Sequence, residues 1–322
     1  MPPPSHSRDL VLGLVHGYDA AKIHPFLDSL RKTAPHAEII LACSEITDST
    51  RQELQTRGCI LIPYRYHRWK VAGRTIWPGN TRWGWFHRRY ASWINTLPLL
   101  SPSQKLQTRA SVVRHFLDPN TRRFVEFYLH LQSHLLNYDR VLLTDLRDVV
   151  FQSDPFAQLT GEGIVYGLED EAVTIGAHWA NSLWVERVGG QSAKESLSAE
   201  RVSCVGVVLG SGKVIARYLA LLTEILTQPG INIANFHGAD TGAHNLIVRQ
   251  HTLPGVRFAD YYNGGILNMH GLRGECIRWT SDDLLCDASG NVIPIVHQYD
   301  RHPQVSERLL GRLGIGAENT ST

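Results

Sequence analysis

Apolar residues recur along the chain in two rhythms. Leu10–Val15, Ala37–Ala42 and Cys59–Ile62 are short, nearly continuous apolar runs with the length of strands buried on both faces. Between the first two, Ile23–Thr33 places Ile23, Phe26, Leu27 and Leu30 on one helical face. Asp48–Arg57 reads as a second helix, capped by Thr47 or Asp48 and closed by Gly58. Strand–helix–strand–helix–strand with short links predicts right-handed βαβ units and a parallel sheet. Further on, Ser103–Leu117 and Thr121–Leu136 have helical spacing, with Phe124, Phe127, Tyr128, Leu131 and Leu135 sharing a face of the second. Val141–Thr144, Val149–Phe151, Ile164–Leu168, Val202–Leu209 and Ile293–His297 read as strands, and Val214–Thr227 and Ala243–Arg249 as helices. With no internal repeat, the expectation is one domain over residues 8–303, an insertion at 64–117 and a flexible tail at 304–322.

The strand run Val141-Leu142-Leu143-Thr144 leads directly into Asp145 and Asp148. Ligands of open α/β sheets bind at the carboxyl ends of such strands, and two carboxylates there are costly unless something cationic neutralises them. Mg²⁺ or Mn²⁺ carrying a diphosphate fits, because hard oxygen ligands suit those ions. The plainer reading is a turn in which Asp145 caps and Asp148 pairs with Arg147 or Arg140. Neither a Gly-x-Gly-x-x-Gly nor a P-loop pattern follows the first strand, so dinucleotide-binding and P-loop readings lack support.

Composition narrows the classes only a little. Of 322 residues, 43% are hydrophobic and 19% charged, ordinary for a soluble globular chain, and the net charge of +2 selects no partner. The five cysteines are odd in number, widely spaced and without a C-x-x-C pair, which argues against a disulfide framework or zinc site and for a reducing compartment. MPPPSHSRDL lacks the form of a signal peptide, and the longest apolar-rich stretch, Val214–Leu226, is broken by Arg217 and Glu224. A cytoplasmic protein without a transmembrane segment is expected. Tyr64–Trp93 stands apart: it holds five of the eight tryptophans, seven Lys and Arg residues and no acid. That composition suits sugar stacking and phosphate neutralisation at a substrate mouth, single-stranded nucleic acid, or a surface insertion packed through its tryptophans. The near-neutral chain weighs against nucleic acid.

The run YDRVLLTDLRDVVFQSDPF at Tyr138–Phe156 resembles the metal-binding centre of nucleotide-diphospho-sugar glycosyltransferases with the GT-A fold. In that family a strand delivers an Asp-x-Asp motif to a metal that bridges the donor diphosphate. SCVGVVLGS at Ser203–Ser211 is similar to the family's buried strand on the acceptor side. GADTGAHNLIV at Gly238–Val248 resembles its Asp-Gln…His-Asn segment, with Asp240 in the Asp position, and PIVHQYDRHP at Pro294–Pro303 resembles the late strand whose histidine completes the metal site. Two departures stand out: the central spacing is Asp145-x-x-Asp148, and Thr241 replaces the usual Gln.

The resemblance implies an α/β, Rossmann-like GT-A fold, a mixed, mostly parallel central sheet flanked by helices. It implies a Mn²⁺ or Mg²⁺ site at Asp145, Asp148 and His297, with Asp148 the first choice for direct ligation. It implies a nucleotide-sugar donor over the end of the first strand at His16, Gly17 and Tyr18, with Asp145 on ribose or a metal-bound water and Arg147 on the phosphates. Asp240 and Asp170 are the expected catalytic carboxylates, Glu169 competes with them as a base, and Asn181 and Trp184 line the sugar or acceptor side. The acceptor is a glycan or other hydroxyl compound. Two further classes stay open. An aspartyl phosphatase would need Asp-x-Asp-x-Thr, which is absent here. A non-catalytic nucleotide- or sugar-binding protein with a degraded metal site would accommodate the long Asp spacing.

Overall fold

The computed structural model describes residues 8–65, 69–71, 74–76, 84–230 and 237–314. The chain starts with β1 (Asp9–His16), α1 (His24–Thr33), β2 (Glu38–Ser44), α2 (Asp48–Thr56) and β3 (Cys59–Pro63). A short antiparallel pair, β4 (Trp69–Val71) and β5 (Arg74–Ile76), precedes α3 (Gly84–Thr96), α4 (Pro102–Val113) and α5 (Pro119–Leu131). Next come β6 (Arg140–Thr144), β7 (Val149–Phe151), β8 (Ile164–Leu168), α6 (Trp179–Leu197), β9 (Ser203–Ser211), α7 (Gly212–Thr227) and α8 (Ala239–Gln250). The last elements are β10 (Val256–Ala259), β11 (Ile266–Asn268), β12 (Arg278–Trp279), β13 (Leu285–Cys286), β14 (Ile295–His297) and α9 (Pro303–Leu313).

Seven strands form the central sheet in the order β10-β8-β9-β6-β1-β2-β3. Neighbours are parallel except at β9, which runs antiparallel to both β6 and β8. This is the mixed, mostly parallel sheet flanked by helices that the family resemblance implies; the strand–helix alternation alone predicts a parallel one. Alternation along β1 explains the two layers: Leu10, Leu12 and Leu14 join a core under α4, α5, α7 and α8, whereas Val11 and Val15 join one under α1 and α2. A strand buried on both faces must be apolar throughout, as Leu10–Val15 is. A second sheet, β11-β14-β7, packs on a third apolar cluster with α9.

Several boundaries move for local reasons. Helix α5 begins at Pro119, suited to a first helical position because it lacks an N–H, and Asp118 caps it by accepting from Asn120 N and Thr121 N. Helix α8 opens at Ala239, four residues before the predicted start, because Gly238 takes a left-handed conformation (φ 90) that turns the chain into it. Two expectations need correction. Residues 102–117 belong to the helical layer, with Leu106, Ala110, Val113 and Leu117 in the main core, and are not a peripheral insertion. The tail expected to be loose from residue 304 is helical to Leu313, because Val305, Leu309 and Leu310 recur at helical spacing and are buried. Of the basic, aromatic segment, Trp77, Trp83, Arg68 and Arg82 lie outside the described residues. Among the described residues no helix is long and apolar enough to cross a membrane.

Candidate functional site

Strand register brings the central carboxylates to a histidine far along the chain. Asp145 follows β6 directly, and its N–H donates to Gly206 O of the antiparallel neighbour β9 at 2.7 Å. The turn Asp145-Leu146-Arg147-Asp148 then feeds β7, whose Val149 pairs with His297 of β14. Asp148 therefore lies beside His297, and Gln298 N donates to Asp148 O at 2.6 Å. His297 Nε2 is 3.4 Å from Asp145 Oδ2 and 3.9 Å from Asp148 Oδ1. One ligating atom from each of the three residues falls within 4.8 Å of the others.

The surroundings fix how His297 presents itself. Asn268, paired with His297 between β11 and β14, donates its amide to Leu168 O at 3.2 Å. That orients the Asn268 carbonyl towards His297 Nδ1, 2.8 Å away. Nδ1 therefore carries the hydrogen in the neutral ring, and Nε2, buried without a hydrogen-bond partner, faces the two carboxylates and becomes a ligand once its proton is lost. Gly206 leaves the space in front of them open. A Cβ there would press on His297 Cε1 and lie 2.7 Å from both Asp145 Oδ2 and His297 Nε2. Two carboxylate oxygens, an imidazole nitrogen and an open face make a donor set that fits a divalent cation.

The cluster opens into a cavity of about 990 Å³ whose walls include His16, Tyr18, Arg147, Glu169, Asn181 and Asp240. Arg123 of α5 stands inside it with its guanidinium on Asp145. Burial disfavours a charge on Asp145, but Arg123 and His297 outweigh it and hold the carboxyl well below its usual range. Burial and the neighbouring Asp145 charge push Asp148 the other way. For His297 too burial opposes the charge, and Cys204, Asp145 and Asp148 outweigh it, raising its pKa. Asp240, in the first turn of α8, is pushed up to about 6 by burial and by Asp118, with Arg123 opposing. Tyr18 is likewise raised by burial, against the pull of Arg147. Arg147 pairs with Asp300 at 3.0 Å and Asp148 at 3.4 Å, and His16 Nδ1 is 2.7 Å from Ser44 Oγ.

Gly17 takes a left-handed conformation (φ 67) and donates its N–H to Ser44 O, turning the chain between His16 and Tyr18. Asp170 corrects an expectation. Its carboxylate does not line the cavity; it accepts from Ala172 N at 3.0 Å and from Arg273 Nε at 3.0 Å, which makes it a turn and ion-pair residue. The neighbouring strand-end acid, Glu169, lines the cavity instead, with Oε2 buried and unpartnered.

No protein-family profile matches the chain, and no relative is found among curated proteins. Among solved structures the chain is similar to the galactosyltransferase LgtC in complex with donor and acceptor sugar analogs: 16% identity and a TM-score of 0.44, over 96% of this chain and 98% of that one. It is also similar to an active-site mutant of LgtC, at 15% identity and a TM-score of 0.42, with the same coverage.

Burial pushes the Glu169 carboxyl from 4.5 up to about 7, with His297 opposing. A carboxyl raised by folding holds its proton more tightly in the native state. Its stabilising share is thus present below pH 4.5 and is lost as pH rises through about 7. Denaturant unfolding of the metal-free protein should show wild type losing on the order of 2 kcal/mol more than Glu169→Gln between about pH 5 and about pH 8. Equal losses would mean that a counter-charge neutralises Glu169.

Arg123, Asp118, Asn268 and Gly206 are site residues that the sequence reading did not single out. Gly206 alone carries a local signal, an isolated glycine inside an apolar strand, which marks close approach of another group. Arg123 looks like any arginine beside Phe124, and Asn268 acquires its role only through the pairing of β11 with β14.

Proposed function

We propose that the protein is a glycosyltransferase of the GT-A type that moves a sugar from a nucleoside-diphosphate donor to an acceptor hydroxyl, with a divalent cation at Asp145, Asp148 and His297. The observation that carries this reading is the cluster itself: two carboxylates and a buried imidazole nitrogen, held open by Gly206, at the strand-end centre of a large cavity. A mixed set of carboxylate oxygens and imidazole favours Mn²⁺ over Mg²⁺. When bound, the cation supplies positive charge to the leaving diphosphate oxygens. Because His297 must give up a proton to ligate, cation affinity should rise with pH.

The chain's own residues complete the donor site. Asp145 and Asp148 each offer one oxygen, and Arg123 holds the second oxygen of Asp145, which orients it. His16 and Tyr18 stand at the end of β1 to meet base and ribose, with Gly17 turning the chain between them. Arg147 faces the cavity with Asp148 and Asp300 as counter-charges and is available to the phosphates. Asp240 presents a buried carboxyl to the sugar, accepting the acceptor proton in an inverting reaction or holding sugar hydroxyls in a retaining one. The anomer of the product separates these two roles.

A thermal-shift panel of nucleoside diphosphates with and without Mn²⁺ tests the reading. At a hundredfold excess over Kd, a bound ligand adds about 2.7 kcal/mol. Asp148→Ala should remain folded and lose the metal-dependent shift. Its retention in the variant would remove Asp148 from the cation site, and its absence in wild type would remove the reading.

A further inference from the structure

The cavity extends well beyond the cation cluster. His16 and Tyr18 follow β1, whereas Glu169 follows β8, and the sheet order β1-β6-β9-β8 sets these ends three strand spacings apart. At the usual spacing that is about 14 Å. The cluster lies between them, at the end of β6 and against Gly206 of β9. The donor reading uses the β1 end and the centre, and leaves the β8 end without an occupant.

Three groups on the cavity wall, Glu169 at the β8 end and two from the start of α6, have unmet requirements. The Glu169 side chain is buried and lines the cavity, yet Oε2 has no hydrogen-bond partner. The backbone that carries it is fixed by Glu169 N donating to Val202 O at 3.0 Å and by Arg201 donating to Glu169 O at 2.6 Å. Asn181 Oδ1 is also buried, unpartnered and on the cavity wall, while its amide nitrogen is 3.1 Å from His178 Nδ1. Trp179, the first residue of α6, lines the same cavity and is 77% exposed. Its helix start is anchored, because His178 caps α6 and stands edge-on to His270 at 5.9 Å.

A buried acceptor oxygen left unpaired costs free energy, and an exposed indole forgoes the burial that a Trp ordinarily obtains. One class of molecule meets both demands. A pyranose ring has a C–H face for the indole and hydroxyl hydrogens for two oxygens. A lipid chain would leave both oxygens unpaired. A peptide hydroxyl would supply a single donor and no ring face. We propose that the β8 end of the cavity is a saccharide acceptor subsite, in which a sugar ring stacks on Trp179 and donates hydroxyl hydrogens to Glu169 and Asn181. This rests on the sugar-transfer reading of the cation site, and it commits the acceptor to a carbohydrate.

The test is saturation-transfer NMR on the full chain with Mn²⁺ and a nucleoside diphosphate. The probes are galactose, glucose, mannose, N-acetylglucosamine and their β-1,4-linked disaccharides. At least one should receive saturation at its ring protons. Trp179→Ala should weaken that saccharide about tenfold and Trp179→Phe by less, since a ring face remains. Glu169→Gln should weaken it about fivefold, with the nucleotide–Mn²⁺ thermal shift intact in all three variants. Saccharide binding unchanged in Trp179→Ala overturns the subsite. So does a nucleotide shift in wild type without saturation of any saccharide, an outcome that leaves the sugar-transfer reading standing. Loss of the nucleotide shift in Trp179→Ala would move Trp179 to the donor side and overturn the subsite. Absence of that shift in wild type would overturn both readings.

Discussion

Gly206→Ala is expected to abolish cation-dependent nucleotide binding while the protein stays folded. The residue is one of the glycines whose φ lies outside the left-handed range, so alanine meets no backbone strain there. What it meets is the cluster. Its methyl would press on His297 Cε1 and stand 2.7 Å from His297 Nε2 and Asp145 Oδ2, the two atoms that turn towards the open face. His297 cannot yield easily, being 1% exposed and held through Nδ1 by Asn268. Asp145 can yield only by leaving Arg123. Overpacking of this kind typically costs about 1–3 kcal/mol, which a chain of this size tolerates. The cation, by contrast, loses the volume it would fill. The Mn²⁺-dependent thermal shift with nucleoside diphosphates should vanish, and metal-dependent turnover of a nucleotide-sugar should fall by about 10²–10³. An alanine variant that binds nucleotide and Mn²⁺ like wild type would show that the cation lies elsewhere.

Legibility in the sequence followed the range of the interaction. The nearly continuous apolar runs Leu10–Val15 and Ala37–Ala42 carried their own evidence, because a strand covered on both faces must be apolar throughout. The strand-end position of Asp145 and Asp148 was readable for the same reason: apolarity stops where the cavity begins. Antiparallel β9 was not readable, since a buried antiparallel strand between two parallel neighbours has the same apolar run as a parallel one. His297 was reached only through the resemblance of its segment, because register with Val149 places it at the cluster and register is not local. Glu169 and Asp170 show the limit most clearly. They are adjacent acids just past one strand end, and one turns into the cavity while the other turns towards Arg273. Composition treats them alike.

Arg123→Ala should affect both folding and chemistry, and Arg123→Lys separates the two. The Arg123 guanidinium is the buried cation between Asp145, which it contacts, and Asp240, whose carboxyl it pulls down from a value otherwise set by burial and Asp118. Breaking a buried ion pair from one side costs about 3–5 kcal/mol, because the remaining charge stays buried. The Asp145 side chain is 33% exposed, so about 3 kcal/mol, the lower end, applies. Added Mn²⁺ should stabilise Arg123→Ala more than it stabilises wild type, since the cation then faces a more negative cluster. Activity should still fall by about 10²-fold or more, because Asp145 no longer has the contact that orients it. Without the positive charge, Asp240 is pushed above about 6, so if the ionised carboxylate is the active form the acid limb of the pH–rate profile moves to higher pH. Arg123→Lys retains the charge and loses the planar fork. It should restore most of the stability and the wild-type acid limb while recovering little of the rate. A lysine variant that recovers stability and rate together would mean that Arg123 supplies charge alone, and a limb that does not move in Arg123→Ala would remove Asp240 from the rate-determining protonation.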